Sequence, residues 1–251
     1  MSDFFDRVHK PGTSLLGTWA KLDSLETLEM LALAGFDFIV ADAEHAPHTF
    51  KSLYRTIVVA QGLGMAALVR LPDATGGDAQ RVLDSGADGV LVPRVRSPQH
   101  ARLAMEPLLF SPRGTRGMGI TSRAGRWGQR TIPDYVKAGD ERVMRVVQLE
   151  DPEALEGVDA ILDTDGVNAA FVGMGDLSLV SGRPTTHPEN DALVDGLLAA
   201  CRKRGIPCGT AVGDAEAAKR SQARGFSFVM VGNDASIFGR AASELVRKTK
   251  S

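Results

Sequence analysis

The segment DAEHAPH, Asp42 to His48, sets two carboxylates and two histidines directly after the apolar run FDFIV. Side chains of these types ligate metals, act as general acids and bases, or fill a polar turn. Other apolar runs close on polar groups in the same way. Lys21 follows LLGTWA, Arg70 closes MAALVR, Arg94 follows GVLVP, and Gln148 and Glu150 close VMRVVQLE. Gly173, Gly175 and Asp176 follow AAFV. A packing core has no use for such groups, and a carboxylate behind RVVQL is costly unless something neutralises it. Glu150 and Asp176 close consecutive runs. Two neighbouring carboxylates suit a hard divalent cation that keeps its other positions for water and substrate. Arg70 reads either as a structural partner for one of these acids or as a forked donor to a substrate carboxylate or enolate oxygen. Backbone N–H groups near Gly173 and Gly175, where a short helix is expected at DLS, suit a small anion.

These groups need a scaffold that brings them together. Eight short apolar runs recur: LLGTWA, FDFIVAD, MAALVRL, GVLVPRV, VMRVVQLE, AAFVGMG, PCGTAVG and FSFVMVG. None alternates cleanly with period two, as expected of strands buried on both faces of a parallel sheet. Between them, SLETLEMLALAG, HTFKSLYRTIVVAQGLG and ENDALVDGLLAACRKRG have helical spacing and end on glycine, the usual helix stop. Such alternation means βαβ units. With a last helix in SIFGRAASELVRKTK, the pattern predicts a single-domain α/β fold over residues 1–251, a (β/α)8 TIM barrel. The competitor, an open doubly wound sheet, typically carries a glycine-rich phosphate loop after its first strand, and LLGTWAKLDS has none. In such barrels the active site lies at the C-terminal strand ends, where the polar groups above fall.

An inserted loop at about 111–142 interrupts the rhythm and carries Arg113, Arg116, Arg123, Arg126 and Arg130. It is expected to be a βα-side loop that folds over the barrel mouth or binds an adjacent subunit. Trp127 and Tyr135 favour a docked loop over a flexible insertion.

Bulk properties narrow the function. Of 251 residues 43% are hydrophobic and 24% charged, with net charge −2, which argues against a nucleic-acid binder. Cys201 and Cys208 form no disulfide framework, so a reducing, cytoplasmic setting is expected. The N-terminal stretch lacks a signal-like apolar region, and no run approaches the roughly 18 apolar residues of a membrane span. The expected partner is a small-molecule substrate.

In order along residues 14–240, DAEHAPH, RLP, LDSGADGVLVPRV, SPRGTRG, RWG, QLED and VGMGDLS resemble the metal-dependent (class II) pyruvate aldolases. These are the 4-hydroxy-2-oxoheptanedioate and 2-keto-3-deoxy-sugar-acid aldolases. The resemblance implies a (β/α)8 barrel assembled as a homohexamer or trimer, with the last helix exchanged between subunits. It implies reversible cleavage of a 4-hydroxy-2-oxo acid to pyruvate and an aldehyde, with Mg²⁺, Mn²⁺ or Co²⁺ as cofactor. Carried over position by position, Glu150 and Asp176 bind the metal, and Gln148, Gly175 and Asp176 contact the pyruvate moiety. Arg70 binds substrate and stabilises the enolate, His45 is the base, and Asp84 is the acid that raises its basicity. Asp42 is a further orienter of His45, while Glu44 and His48 are left as scaffolding. Met174-Gly175 stands where the family often has Gly-Pro, and Ala46 where glycine is common. Neither departure removes a reacting group.

The bare residues agree with that chemistry. Retro-aldol cleavage needs a base for the C4 hydroxyl and a sink for charge on the C2 oxygen. His45 is the one histidine at a strand end, and an ordinary imidazole pKa of about 6.5 suits a base. His9, in the N-terminal tail, His100 and His187 read as surface residues. A Schiff-base mechanism would need a desolvated lysine, and only Lys21 lies near a strand end. Two alternatives remain. One is a CoA-ester lyase of the malyl or citramalyl type, with the arginine-rich loop holding a nucleotide phosphate. The other is a non-catalytic barrel that binds a 2-oxo acid, against which the intact set His45, Arg70, Glu150 and Asp176 argues.

Overall fold

The computed structural model describes residues 3–73 and 78–250. In chain order the elements are α1 (Phe4–His9), β1 (Leu15–Ala20), α2 (Leu25–Ala34), β2 (Phe38–Asp42), α3 (Phe50–Gly62), β3 (Ala66–Arg70) and α4 (Ala79–Asp84). Then come β4 (Gly89–Val92), α5 (Pro98–Met105), a 3-10 turn (Glu106–Leu108), α6 (Ile132–Glu141), β5 (Met144–Leu149), α7 (Pro152–Glu156) and α8 (Val158–Leu162). The chain closes with β6 (Ala169–Val172), α9 (Met174–Ser181), α10 (Pro188–Arg204), β7 (Cys208–Val212), α11 (Ala215–Arg224), β8 (Phe228–Asn233) and α12 (Asp234–Lys250). Each strand pairs in parallel with the next, and β8 returns to β1, so the sheet is a closed barrel. All eight apolar runs form strands in the expected order.

Burial on both faces explains the missing period-two pattern, yet the pleat still sorts the side chains. Phe38 and Val40 of β2 point into the barrel, as do Ala66 and Leu68 of β3 and Met144 and Val146 of β5. Their neighbours Ile39, Ala67 and Val147 face the surrounding helices. Continuing the same alternation towards the C-terminal ends brings Asp42, Arg70 and Gln148 onto the interior face. The site is therefore the polar top layer of the barrel filling.

The bottom of the barrel is closed by α1, a helix in place of the expected N-terminal tail. Phe4 and Val8 are buried there, and the Phe4 ring lies 5.3 Å from that of Phe38. Arg7 pairs with Asp37 just ahead of β2, and Arg142 pairs with Asp6. The inserted loop also lies at this end, which corrects its expected position over the mouth. It runs from α5 to β5, so it is an αβ connection on the N-terminal face. Arg123 bonds Gln61 and the Ser85 carbonyl there. α6 forms its last part, with Thr131 as N-cap and Tyr135 buried.

α12 leaves the barrel. Asp234 is its one buried residue among those described, while Phe238, Leu245 and Val246 stay exposed. No described helix is long and apolar enough to cross a membrane. The two cysteines are buried free thiols.

Large rings fill the barrel only because small residues face them. A Cβ on Gly17 would overlap the Phe38 ring, and one on Gly209 the Phe228 ring. Gly17→Ala and Gly209→Ala are each expected to cost about 1–3 kcal/mol through overpacking. For a chain of this size that lowers the melting midpoint by about 2–4 °C per kcal/mol, measurable by calorimetry.

Candidate active site

The centre of the mouth is Asp42, whose side chain is fully buried. Arg70 sits opposite it in the β2–β3 register and grips it bidentately, Nε to Oδ1 at 2.9 Å and Nη2 to Oδ2 at 2.7 Å. Lys21 adds a third contact from the end of β1, Nζ to Oδ2 at 2.7 Å. Burial alone would raise the Asp42 pKa. The hydrogen bonds from Arg70 and Lys21 and the charge of Arg70 outweigh it and hold the carboxyl well below the usual range. Asp42 Oδ1 also accepts the backbone N–H of Glu44 (3.2 Å) and of His45 (3.1 Å). Asp42 thus orients His45 through its backbone N–H and, among the described residues, makes no bond to the ring.

Arg70 is itself buried and lies over the Trp19 ring, 4.2 Å from its centroid. Its Nη1 meets Glu44 Oε2 at 3.1 Å. Glu44, read as scaffolding from sequence, is therefore a central group. Its other oxygen pairs with Arg94 at 3.0 Å, and its Oε2 lies 3.7 Å from His45 Nε2. The signal was in the alternation: Phe38, Val40 and Asp42 face inwards, so Glu44 continues that face. Leu15, Gly17 and Trp19 do the same on β1. Arg94 reaches Glu44 from a backbone with φ of 55°, a left-handed conformation that costs a non-glycine residue roughly 1–3 kcal/mol. The His45 side chain is 60% exposed and stands open to an incoming molecule.

Across the mouth, Glu150 is buried and accepts from Gln148 Nε2 at 2.5 Å. Burial raises its pKa, and the charges of Asp176 and Glu44 add to the rise, against the Gln148 hydrogen bond and Arg70. Gln148 Oε1 is buried without a partner among the described residues. Asp176 is exposed in the first turn of α9, whose leading N–H groups, that of Gly175 included, have no intrahelical acceptor. A Cβ on Gly175 would meet nothing within 4 Å, so the backbone there is open to a ligand. A Cβ on Gly173 would sit 3.2 Å from Glu150 Oε2 and crowd it.

Among the described residues no three or more His, Cys, Asp or Glu groups cage a metal. Two carboxylates in mutual repulsion, beside an unmatched amide oxygen, fit a hard cation that takes few protein ligands. Sites for a soft metal would need thiolate or imidazole, which this end of the barrel lacks apart from His45 and His48. The His48 ring is held by Ala20 carbonyl and Ser52 hydroxyl contacts of 3.1 Å each, a structural use.

Asp84 stands apart from the rest. It ends α4 on the N-terminal face, where its Oδ1 accepts from Arg116 at 3.0 Å and from the Tyr135 hydroxyl at 3.1 Å. Within one chain it makes no hydrogen bond or ion pair with His45 among the described residues, so the expected dyad is not built there. The inserted loop lies at the same face, so it does not supply a nucleotide-phosphate site to its own mouth.

The model of one family, "HpcH/HpaI aldolase/citrate lyase", matches residues 15–241. A 5-keto-4-deoxy-D-glucarate aldolase of Salmonella arizonae is 33% identical over 92% of this chain and 90% of its own length. An HpcH/HpaI aldolase/citrate lyase family protein from Burkholderia cenocepacia superimposes with a TM-score of 0.91 at 28% identity, covering 100% of both chains. An HpcH/HpaI aldolase from Desulfitobacterium hafniense gives 0.89 at 27% identity, over 96% of this chain and 94% of that one.

Asp42→Asn should leave Arg70 and Lys21 buried against a neutral amide. The expected loss is about 3–5 kcal/mol of unfolding free energy near neutral pH, read from denaturant curves. Because the folded pKa is depressed, the stabilisation by Asp42 is complete above its unfolded value of about 3.9. It is lost as pH falls through the folded value, so the gap between wild type and variant should close in strong acid.

Proposed function

The chain belongs to the HpcH/HpaI aldolase/citrate lyase family, and on that footing we propose that its barrel mouth cleaves a 4-hydroxy-2-oxo acid reversibly to pyruvate and an aldehyde. The observation that carries this reading is the opposed layout of the mouth. A buried carboxylate, Glu150, faces Asp176 and Glu44, with the Arg70 fork beside them. The name of the Salmonella relative favours a substrate derived from a sugar acid over a CoA ester.

Glu150 and Asp176 would hold a divalent cation, Mg²⁺, Mn²⁺ or Co²⁺. When bound, it supplies a Lewis acid for the 1-carboxylate and 2-oxo groups of the substrate. The protein's own groups do the rest. Three of the five Arg70 N–H donors face Asp42 and Glu44, which leaves two for the substrate oxygen that gains charge. Gln148 and the Gly175 N–H bind the carboxylate end. His45 takes the C4 hydroxyl proton; the C3–C4 bond then breaks, its electron pair becomes the C2=C3 bond as the carbonyl pair moves onto the C2 oxygen, and the aldehyde departs. Protonation at C3 gives pyruvate. Glu44, 3.7 Å from the His45 ring, positions the imidazole from within the chain.

The exposed apolar residues of α12 support an oligomer, hexamer or trimer, in which this helix packs on a neighbouring subunit. Buried free thiols support a cytoplasmic setting.

Deuterium exchange into the pyruvate methyl group tests the chemistry. Exchange should require added Mg²⁺ or Mn²⁺, stop with chelator, and fall by about 10²–10⁴ in His45→Ala. No exchange under any of the three metals would sink the aldolase reading. A second measurement isolates the metal. The raised Glu150 pKa means the metal-free chain loses stability as pH rises through that value. Metal-free Glu150→Gln should therefore melt no lower than wild type at pH 8, while Mn²⁺ should raise the midpoint of wild type only.

A further inference from the structure

We propose that the N-terminal face of the barrel carries a second ligand site, a cavity of about 390 Å³ that takes a small multivalent oxyanion, either an organic phosphate or a polycarboxylate. It lies between the inserted loop, α6 and the ends of α3 and α4, remote from Glu150 and Asp176. Its wall holds four guanidinium groups, Arg116, Arg123, Arg126 and Arg130, and a single carboxylate, Asp88.

The charges do not balance. Four guanidinium groups face the one charge of Asp88, which among its contacts accepts from Gln61 and from the Ala67 N–H. Among the described residues Arg123 bonds the Gln61 amide oxygen and the Ser85 carbonyl, both neutral. Arg126 makes no ion pair or side-chain hydrogen bond among the described residues. Among the described residues Arg116 has one acid, Asp84, while its Nε and Nη1 are buried with no acceptor. Burial and the charge of Arg126 together pull the Arg130 pKa down, against the opposing charges of Asp134 and Tyr135. Arg145 lies buried nearby and among the described residues donates to carbonyls, with Asp140 and Asp165 as its nearest opposing charges.

The geometry is pre-formed. Arg126 and Trp127 both adopt left-handed backbone, with φ of 52° and 57°. Backbone bonds hold them there: Arg126 N–H to Arg123, Trp127 N–H to Ser122 and Gly128 N–H to Ile120. A Cβ on Gly125 would collide with the Ile120 carbonyl, so the tight crossing needs glycine. The loop thus keeps an unpaired guanidinium at the cavity rim, and planar guanidinium groups fork phosphate or carboxylate oxygens. Trp127, 64% exposed, stands beside them as a reporter.

The chain has two tryptophans, so Trp19→Phe leaves Trp127 as the sole indole. In that background the whole metal-free protein is titrated with pyrophosphate in one arm and citrate in the other, against chloride at constant ionic strength. A saturable change in Trp127 emission with a midpoint below about 1 mM is expected for at least one anion. The tighter arm identifies phosphate or carboxylate chemistry. Arg126→Ala should weaken it about tenfold with the melting midpoint preserved. Arg126 has no side-chain partner among the described residues, so its variant keeps the fold. A linear or absent response, as when a second copy closes the cavity, overturns the proposal. So does saturation that Arg126→Ala leaves unchanged.

Discussion

The mouth of the barrel is organised around one buried ion pair, Asp42 with Arg70. Two charges removed from water are tolerable only if every lone pair and donor finds a partner. Here Arg70 fills both carboxylate oxygens, Lys21 adds a second cation, and two backbone N–H groups complete the acceptor sites. These contacts tie the ends of β1, β2 and β3 to the turn that carries Glu44 and His45. Removing Asp42 would release Arg70 and the turn together, although Asp42 itself presents no accessible surface to a substrate.

The opposite wall is built on the reverse principle. Glu150 is buried near Asp176 and Glu44 without a cation bound to it from the protein, and its proton is held more tightly as a result. One side of the mouth is electrostatically satisfied and rigid; the other is charged and unsatisfied. That asymmetry is what a site needs if it is to take a cation and an anionic substrate from water. Glu44 links the two halves, since it accepts from Arg70 and Arg94 while adding to the negative field at Glu150.

The barrel separates its ends by chemistry. The C-terminal end gathers carboxylates around one buried arginine. The N-terminal end gathers arginines from the inserted loop, above a plug of Phe4 and Val8 against Phe38. A packed interior of Phe38, Phe171 and Phe228 lies between them, so the barrel is no conduit and each face acts as a separate surface.

The linear order of apolar runs was enough to establish eight strands, the barrel and the strand ends where chemistry belongs. Helix limits written in glycine were legible too, as at Gly35 and Gly205, where φ is 93° and 65°. Those features depend on local propensity and on periodicity, which are properties of neighbouring residues. The side chains that face one another were another matter. Glu44 looked like turn filling because its partners, Arg70 and Arg94, come from other strands. The N-terminal stretch read as a tail because two buried residues are too few to announce a helical plug. The inserted loop was assigned to the wrong end because composition carries no direction. Asp84, which only the resemblance joins to His45, bonds Arg116 and Tyr135 within its own chain. Sequence determined which elements form and which residues lie at their ends; closing the sheet decided which charges meet, because pairing across strands is set by register and burial, and neither is written in any one segment.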